Sequence, residues 1–455
     1  MTSKVPSRVK AAPLLLAELC LFALASCSSN SSTTTTTTPA VNNSVAVTAG
    51  FGPLGQAGGV PNGLFVNITV CQHGTQNCAT IDNVLVDTGS IGLRLIPSAI
   101  GSVLSPISEN GNALEECIQY GDTSYSWGPM ALADVAIGGE TASDVPVQLL
   151  GQTTFAVPST CLTTPVLAGT PGTPPGNEDT LQTLGANGIL GIGNGAVDGP
   201  WDCGSYCTSN IAGNPYYICP GGVCEEAEVS TGVQAENPVA AFTSSDRNGV
   251  MITLPSFGTT GAVSVSGTMS FGINTQSDNA IGSATVYSSD QCGFIPEVVY
   301  AGLPYQDTIC SEEGESMGGF MDTGSNALYV SDASTLSTLG LPISDCASGT
   351  SGYGFYCVTG GGTTILSNIT LVGNSGTSGL VSLNIEDATT LFNTFNGVLN
   401  DLGGDSGEGY ATGTDSFDFG LPFFLGRTVF IGITGVTGET TGAFAITAPN
   451  GFVAF

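Results

Sequence analysis

"VLVDTGSIGL", residues 84–93, is an apolar run that ends in Asp87, Thr88, Gly89 and Ser90 before a second apolar run begins. "GFMDTGSNAL", residues 319–328, repeats the pattern 235 positions later with Asp322, Thr323, Gly324 and Ser325. The hydrophobic residues bury a strand, which holds the Asp at its end in low-dielectric surroundings. Thr and Gly then permit a tight turn whose hydroxyl and N–H groups hydrogen-bond the carboxylate and a facing loop. When two such loops meet, Asp87 and Asp322 face each other across a pseudo-twofold axis. Two carboxyls within about 3 Å cannot both ionise cheaply, so they share one proton and act together as base and acid. Thr88, Ser90, Thr323 and Ser325 are expected to brace the loops without touching a substrate.

Exclusion leads to the same chemistry. Only 9% of the 455 residues are charged, Gly accounts for 65, and Val, Thr and Ser recur in short runs broken by Gly, Pro and Asn. That is mostly β structure with many turns. The one His, His73, lies in "CQHGTQNC", residues 71–78, read as a disulfide-tied hairpin turn, so a Ser-His-Asp or Cys-His arrangement has no base to use. After residue 27 there is no Lys, which removes Schiff bases, Ser-Lys dyads and the phosphate-binding P-loop. "GILGIGNG", residues 188–195, superficially resembles a dinucleotide loop, but no amphipathic helix pattern follows it. No cofactor and no metal are expected.

The N-terminus reads as an export signal. Lys4, Arg8 and Lys10 precede the apolar run 11–25, and "LASC" follows at 24–27. Leu-Ala-Ser-Cys resembles the bacterial lipobox, which makes Cys27 a lipid-attachment site; plain cleavage after Ser26 is the alternative. Ser28 after the anchor resembles lipoproteins sent to an outer membrane. Residues 28–45, with "SSNSSTTTTTTPAVNNS" at 28–44, have nothing to bury and form a flexible tether. Its reach is at most about 60 Å. Without Lys4, Arg8, Lys10 and Glu18, three cations (Arg94, Arg247, Arg427) face 36 carboxylates, a net charge of −33. Nucleic acid is therefore excluded as a partner. Such a surface repels itself less as carboxylates protonate, which suits an acidic medium. Beyond Cys20 and Cys27 twelve Cys remain, an even set that reads as disulfides, with Cys71–Cys78, Cys292–Cys310 and Cys346–Cys357 the expected pairs.

The two Asp-Thr-Gly-Ser loops, each in the context of a hydrophobic run, resemble those of the pepsin-like aspartic peptidases. "SIGLRLIP" (90–97) and "SNALYVS" (325–331) resemble the stretches that follow the two loops in that family. "IQYGDTSYSWG", residues 118–128, resembles the flap hairpin that closes over bound peptide, with Tyr120 as the flap Tyr and Gly121 and Asp122 at its tip. "GILGIG" (188–193) and "FFLGRTVFIG" (423–432) are similar to the hydrophobic-hydrophobic-Gly segments that cross behind each loop. The resemblance runs from about residue 60 to the C-terminus, with residues 196–235 and 398–418 unplaced. Arg94 stands where the family has a Trp that bonds the flap Tyr, and Arg427 where it has an Asp. No propeptide is evident.

The resemblance implies an all-β, bilobal pepsin-like acid protease fold, with two pseudo-twofold-related β-barrel-like lobes and a cleft between them. The expected lobes are residues 46–257 and 258–455. It implies an aspartic endopeptidase, acting on peptide or protein substrates as a monomer at acid pH with apolar residues flanking the scissile bond. The N-terminal lipid would anchor it to a membrane of the cell envelope. A pepsin-fold binding protein with little turnover is the second reading, with Arg94 as its motive. An acidic β-rich adhesin is the third; it explains the composition but not the duplicated loop.

Overall fold

The computed structural model describes residues 42–121, 124–162, 176–195, 203–258, 261–307, 318–406, 416–435 and 450–455. The strand Cys78–Asp87 shows how this sequence builds its sheets. It pairs antiparallel with Gly63–Gln72 around the 71–78 turn, which a Cys71–Cys78 disulfide closes and Gly74 rounds at φ +70°. The register slips between Val66 and Ile68, and Asn83, opposite this bulge, adopts φ 51°. A slip of one residue exchanges the two faces of a strand, so the bulge fixes which side chains of "VLVD" point inward. Val84 and Val86 are fully buried in the core, and Asp87 ends the strand.

Six strands close into a barrel in the first half of the chain: Gly63–Gln72, Cys78–Asp87, Gly188–Ile192, Ile91–Leu95, Glu140–Leu149 and Tyr125–Ile137, the last pairing back to the first. Its interior is aliphatic, with Val66, Ile68, Leu93, Leu95, Val147, Leu149, Leu190 and Ile192 buried. From Gly63–Gln72 the same sheet continues through Ser44–Gly50, Val265–Phe271, Gly249–Thr253, Thr428–Gly432, Phe452–Ala454 and Val286–Ser288. This extension interleaves strands from both halves and forms the platform that joins them. The second half adds an antiparallel four-stranded sheet (Glu297–Tyr300, Leu303–Gln306, Thr363–Val372, Ser378–Glu386). A mixed four-stranded sheet follows (Gly319–Asp322, Phe417–Gly420, Leu328–Val330, Gly403–Asp405). The architecture is all-β and two-lobed, as expected. Among the described residues no helix is long and apolar enough to cross a membrane.

The unplaced stretch before residue 235 has a definite role. Tyr216–Ile218 pairs with Asn112–Gln119, and Glu225–Glu226 pairs with Tyr216–Ile218, so the hairpin Asn112–Gln119/Tyr125–Ile137 is widened at its base into four strands. Disulfides Cys203–Cys207 and Cys219–Cys224 staple this insert, and Cys117–Cys161 ties the hairpin to the loop behind it. Trp127 packs edge-on against Tyr217 at 5.2 Å in the same cluster. Cys346–Cys357 is paired as expected, whereas Cys310, the expected partner of Cys292, lies outside the described residues.

Candidate active site

Asp87 and Asp322 each end a strand, and the turns that follow hold the two carboxylates in the same way. Gly89 N–H donates to Asp87 Oδ1 at 2.9 Å and Ser90 Oγ to Asp87 Oδ2 at 2.5 Å. Gly324 N–H donates to Asp322 Oδ1 at 2.7 Å and Ser325 Oγ to Asp322 Oδ2 at 2.6 Å. The turns are clasped by their threonines. Thr88 Oγ1 donates to the Met321 carbonyl and Thr323 Oγ1 to the Val86 carbonyl, both at 2.7 Å. Each hydroxyl in turn accepts the other threonine's N–H, at 3.2 and 3.0 Å. Four hydrogen bonds thus cross between loops 235 residues apart, in a place where Thr88 is 5% and Thr323 0% exposed.

The glycines are required by contact rather than by backbone angle, since neither has a positive φ. A Cβ on Gly89 would lie 2.7 Å from the Asp322 carboxyl, and one on Gly324 would lie 2.6 Å from Asp87 Oδ1. The carboxyls themselves converge: the point 2.6 Å from Asp87 Oδ1 where a Gly324 Cβ would lie is also 3.0 Å from Asp322 Oδ1. Burial first, and the charge of Asp87 second, push the Asp322 carboxyl well above the usual carboxylate range; the bonds from Ser325 and Gly324 oppose this without prevailing. Asp322 therefore binds a proton more tightly than an ordinary carboxyl, beside a second carboxyl, an arrangement able to accept a proton and donate one at the same point.

A family model described as "Protein of unknown function (DUF3443)" matches residues 39–448. The chain belongs to the DUF3443 family. No curated protein matches it. Among solved structures, the crystal structure of aspartic proteinase from Irpex lacteus is similar at 15% identity and a TM-score of 0.47, over 90% of this chain and 96% of that one. What carries the two-loop reading of this DUF3443 chain is its own threonine clasp and carboxyl contact.

One expectation is corrected. The segment crossing behind the second loop is not 423–432 but the strand Phe417–Gly420. In the first half Leu85–Asp87 pairs parallel with Ile189–Gly191, placing Gly191 beside Asp87. In the second, Gly319–Asp322 pairs parallel with Phe417–Gly420, placing Gly420 beside Asp322. A Cβ on Gly420 would meet the Ala327 carbonyl oxygen at 2.0 Å, so the close approach that demands Gly is here. Residues 423–432 instead enter the joining platform through Thr428–Gly432. Arg427 donates to the Phe423 carbonyl at 2.6 Å and stacks over its ring.

Asn112–Gln119 and Tyr125–Ile137 form a hairpin, Tyr120 N–H donates to the Ser124 carbonyl at its turn, and Gly121 is exposed at the tip. Asp122 and Cys27 lie outside the described residues. Tyr120 Oη donates to Ser126 Oγ at 3.1 Å. Burial raises its phenol, and Arg94 and Asp87 act on it with opposite signs, so the ring hangs within electrostatic reach of the dyad. Arg94 lies fully buried and faces Glu116 of Asn112–Gln119, Nη2 to Oε1 at 3.4 Å, while Nη1 donates to the Ile91 carbonyl at 2.6 Å. His73 is a surface residue, bonded to Asp134 at 2.8 Å. Among the described residues no cluster of three or more His, Cys, Asp or Glu could hold a metal.

Sequence reading missed Glu116, Asn62 and Asp418. Asn62 Nδ2 donates to the carbonyls of Asn326 and Leu399, and its Oδ1 accepts the Leu399 N–H, so it locks the loop after Asp322 to the first half. Its signal was only an Asn-Gly turn before a strand.

Proposed function

We propose that this protein is an aspartic endopeptidase that hydrolyses peptide bonds with Asp87 and Asp322 as its catalytic pair. The observation that carries the reading is the mutual placement of the two carboxyls on loops clasped by the threonines. In the proposed step Asp87 accepts a proton from a water whose oxygen attacks the peptide carbonyl carbon, while Asp322 gives its proton to the carbonyl oxygen. Asp322 then recovers a proton from one hydroxyl of the tetrahedral diol and Asp87 returns its proton to the departing nitrogen as the C–N bond breaks. Tyr120, Gly121 and Asp122 would lie over an extended substrate with apolar residues at the scissile bond. The raised Asp322 carboxyl supports work at acid pH, and the excess of acidic residues fits that setting.

The protein would act as a monomer on the cell envelope, exported and held by lipid on Cys27, facing the periplasm or the cell surface from an outer membrane. Support for this is the signal-like N-terminus and the tether behind it. The test is hydrolysis of an unfolded protein between about pH 2 and 7. Cleavage is expected to be blocked by a statine-type inhibitor and lost in both Asp87→Asn and Asp322→Asn. Absence of both cleavage and inhibitor binding would overturn the reading. Cys27→Ser is expected to leave the membrane fraction, and its retention there would sink the anchor.

A further inference from the structure

Asp418 lies two residues before Gly420, the residue beside Asp322, and side chains two apart on a strand share a face. It sits opposite Phe320 on one neighbouring strand and Tyr329 on the other. In the first half the equivalent register position, between Leu85 and Arg94, is Ile189. An acid therefore occupies the place of a core aliphatic. It is only 7% exposed, and its Oδ1 is buried with no hydrogen-bond partner among the described residues.

A carboxyl so placed favours its neutral form. Burial, then the charge of Asp322 and more weakly that of Asp87, push Asp418 far up; the Ser325 hydroxyl could oppose this only by donating to it. The ionisable groups that face it are Asp322 on Gly319–Asp322, Tyr329 on Leu328–Val330 and Asp87 across the loops. The Ser325 hydroxyl has one proton, and it gives that proton to Asp322 Oδ2 at 2.6 Å. Toward Asp418 it can then only accept, and only a protonated carboxyl donates. The order is Asp418 O–H to Ser325 Oγ–H to Asp322.

We propose that Asp418 is a positioning residue of the site: as a neutral acid it fixes the Ser325 hydroxyl on Asp322 and so sets where that carboxyl lies opposite Asp87. This rests on the peptidase reading of Asp87 and Asp322. A hydroxyl that is itself hydrogen-bonded donates more strongly, so loss of the Asp418 proton donor disfavours ionised Asp322.

The test uses full-length protein labelled with carbon-13 at its aspartate carboxyls. The resonance missing from Asp418→Asn is expected to stay at the protonated shift well past the pH at which an exposed carboxylate ionises. The resonance missing from Asp322→Asn is expected to titrate about one pH unit higher in Asp418→Ile. It should return to the wild-type position in Asp418→Asn, whose amide still donates to Ser325. Peptide hydrolysis by Asp418→Ile should show kcat about tenfold lower, equivalent to about 1.4 kcal/mol, with KM unchanged and most of kcat recovered in Asp418→Asn. An Asp418 resonance that titrates like an exposed carboxylate overturns the proposal, as do Asn and Ile variants with equal effects on Asp322. If the titrations behave as stated but wild-type protein cleaves nothing, the peptidase reading fails and the hold of Asp418 on Asp322 stands.

Discussion

Replacing Thr323 by Val is the sharpest test of the clasp, because Val keeps the shape and removes only the hydroxyl. That hydroxyl donates to the Val86 carbonyl at 2.7 Å and accepts the Thr88 N–H at 3.2 Å, with Thr323 completely buried. The variant leaves one carbonyl and one N–H without their partner. Each such loss costs about 1–3 kcal/mol, so a total of about 2–6 kcal/mol is expected, a large part of a typical stability of about 5–15 kcal/mol. Thr88→Val breaks the reciprocal pair, Thr88 Oγ1 to the Met321 carbonyl at 2.7 Å and Thr323 N–H to Thr88 Oγ1 at 3.0 Å. Once one pair is gone the loops are free to part, so the second costs less, and the double variant should fall short of the sum by about 1 kcal/mol or more. Thr323→Ser keeps both bonds and should stay within about 1 kcal/mol of wild type. Urea denaturation at a single acid pH measures all four variants against wild type. A Thr323→Val protein as stable as wild type, or a strictly additive double variant, would refute the clasp as a coupled unit.

Gly89→Ala and Gly324→Ala should each fold and lose at least about 10²-fold in kcat, because a Cβ 2.6–2.7 Å from the opposite carboxyl displaces it by a good fraction of an ångström; peptidase assays of refolded, monodisperse protein check this. Stability should fall as pH rises through the neutral range. Glu115, raised mainly by burial to about 7, and Asp401, raised by burial and by Glu386 to about 6, bind protons more tightly folded than unfolded. Their contribution is complete below the ordinary carboxylate range and is lost as pH climbs through about 6 to 7. A urea midpoint higher at pH 7.5 than at pH 4.5 would contradict this, and Glu115→Gln should flatten the profile. Glu116→Gln withdraws a carboxylate from the buried Arg94 guanidinium and should destabilise by about 3–5 kcal/mol, whereas Arg94→Met with Glu116→Leu should recover much of that. Denaturant unfolding of the single and double variants decides the point.

The sequence declared what lies within a few residues of itself and concealed what depends on distant pairing. Asp-Thr-Gly-Ser after an apolar run was legible because strand, turn and carboxylate are one local pattern, and the Cys71–Cys78 and Cys346–Cys357 disulfides were legible because their partners are close. The Cys117–Cys161 bridge, 44 residues apart, was not. The crossing segment was misplaced for a physical reason. "FFLGRTVFIG" has the apolar-Gly pattern, while the true segment, "FDFG", hides it behind an acid, and only the register of Gly420 against Asp322 distinguishes them. Arg94 was visible as a departure, but its partner Glu116 lies on another strand, in "NALEECIQ", and gave no sign of being buried.

These concealed residues share a logic. Hydrogen bond for hydrogen bond the two Asp-Thr-Gly-Ser turns are nearly identical, so any difference between the two carboxyls has to be imposed from behind the turns. Position for position, the strand after the first loop carries Arg94 against Ile189, and the strand after the second carries Tyr329 against Asp418. A guanidinium stands behind one loop and a neutral acid behind the other. The guanidinium is held by Glu116 and the Ile91 carbonyl, whereas the acid reaches Asp322 through the Ser325 hydroxyl, so a donor strengthened from behind acts on the second carboxyl. On this argument Asp418→Ile should raise the Asp322 titration as much in an Arg94→Met, Glu116→Leu background as in wild type, even though neither turn is touched.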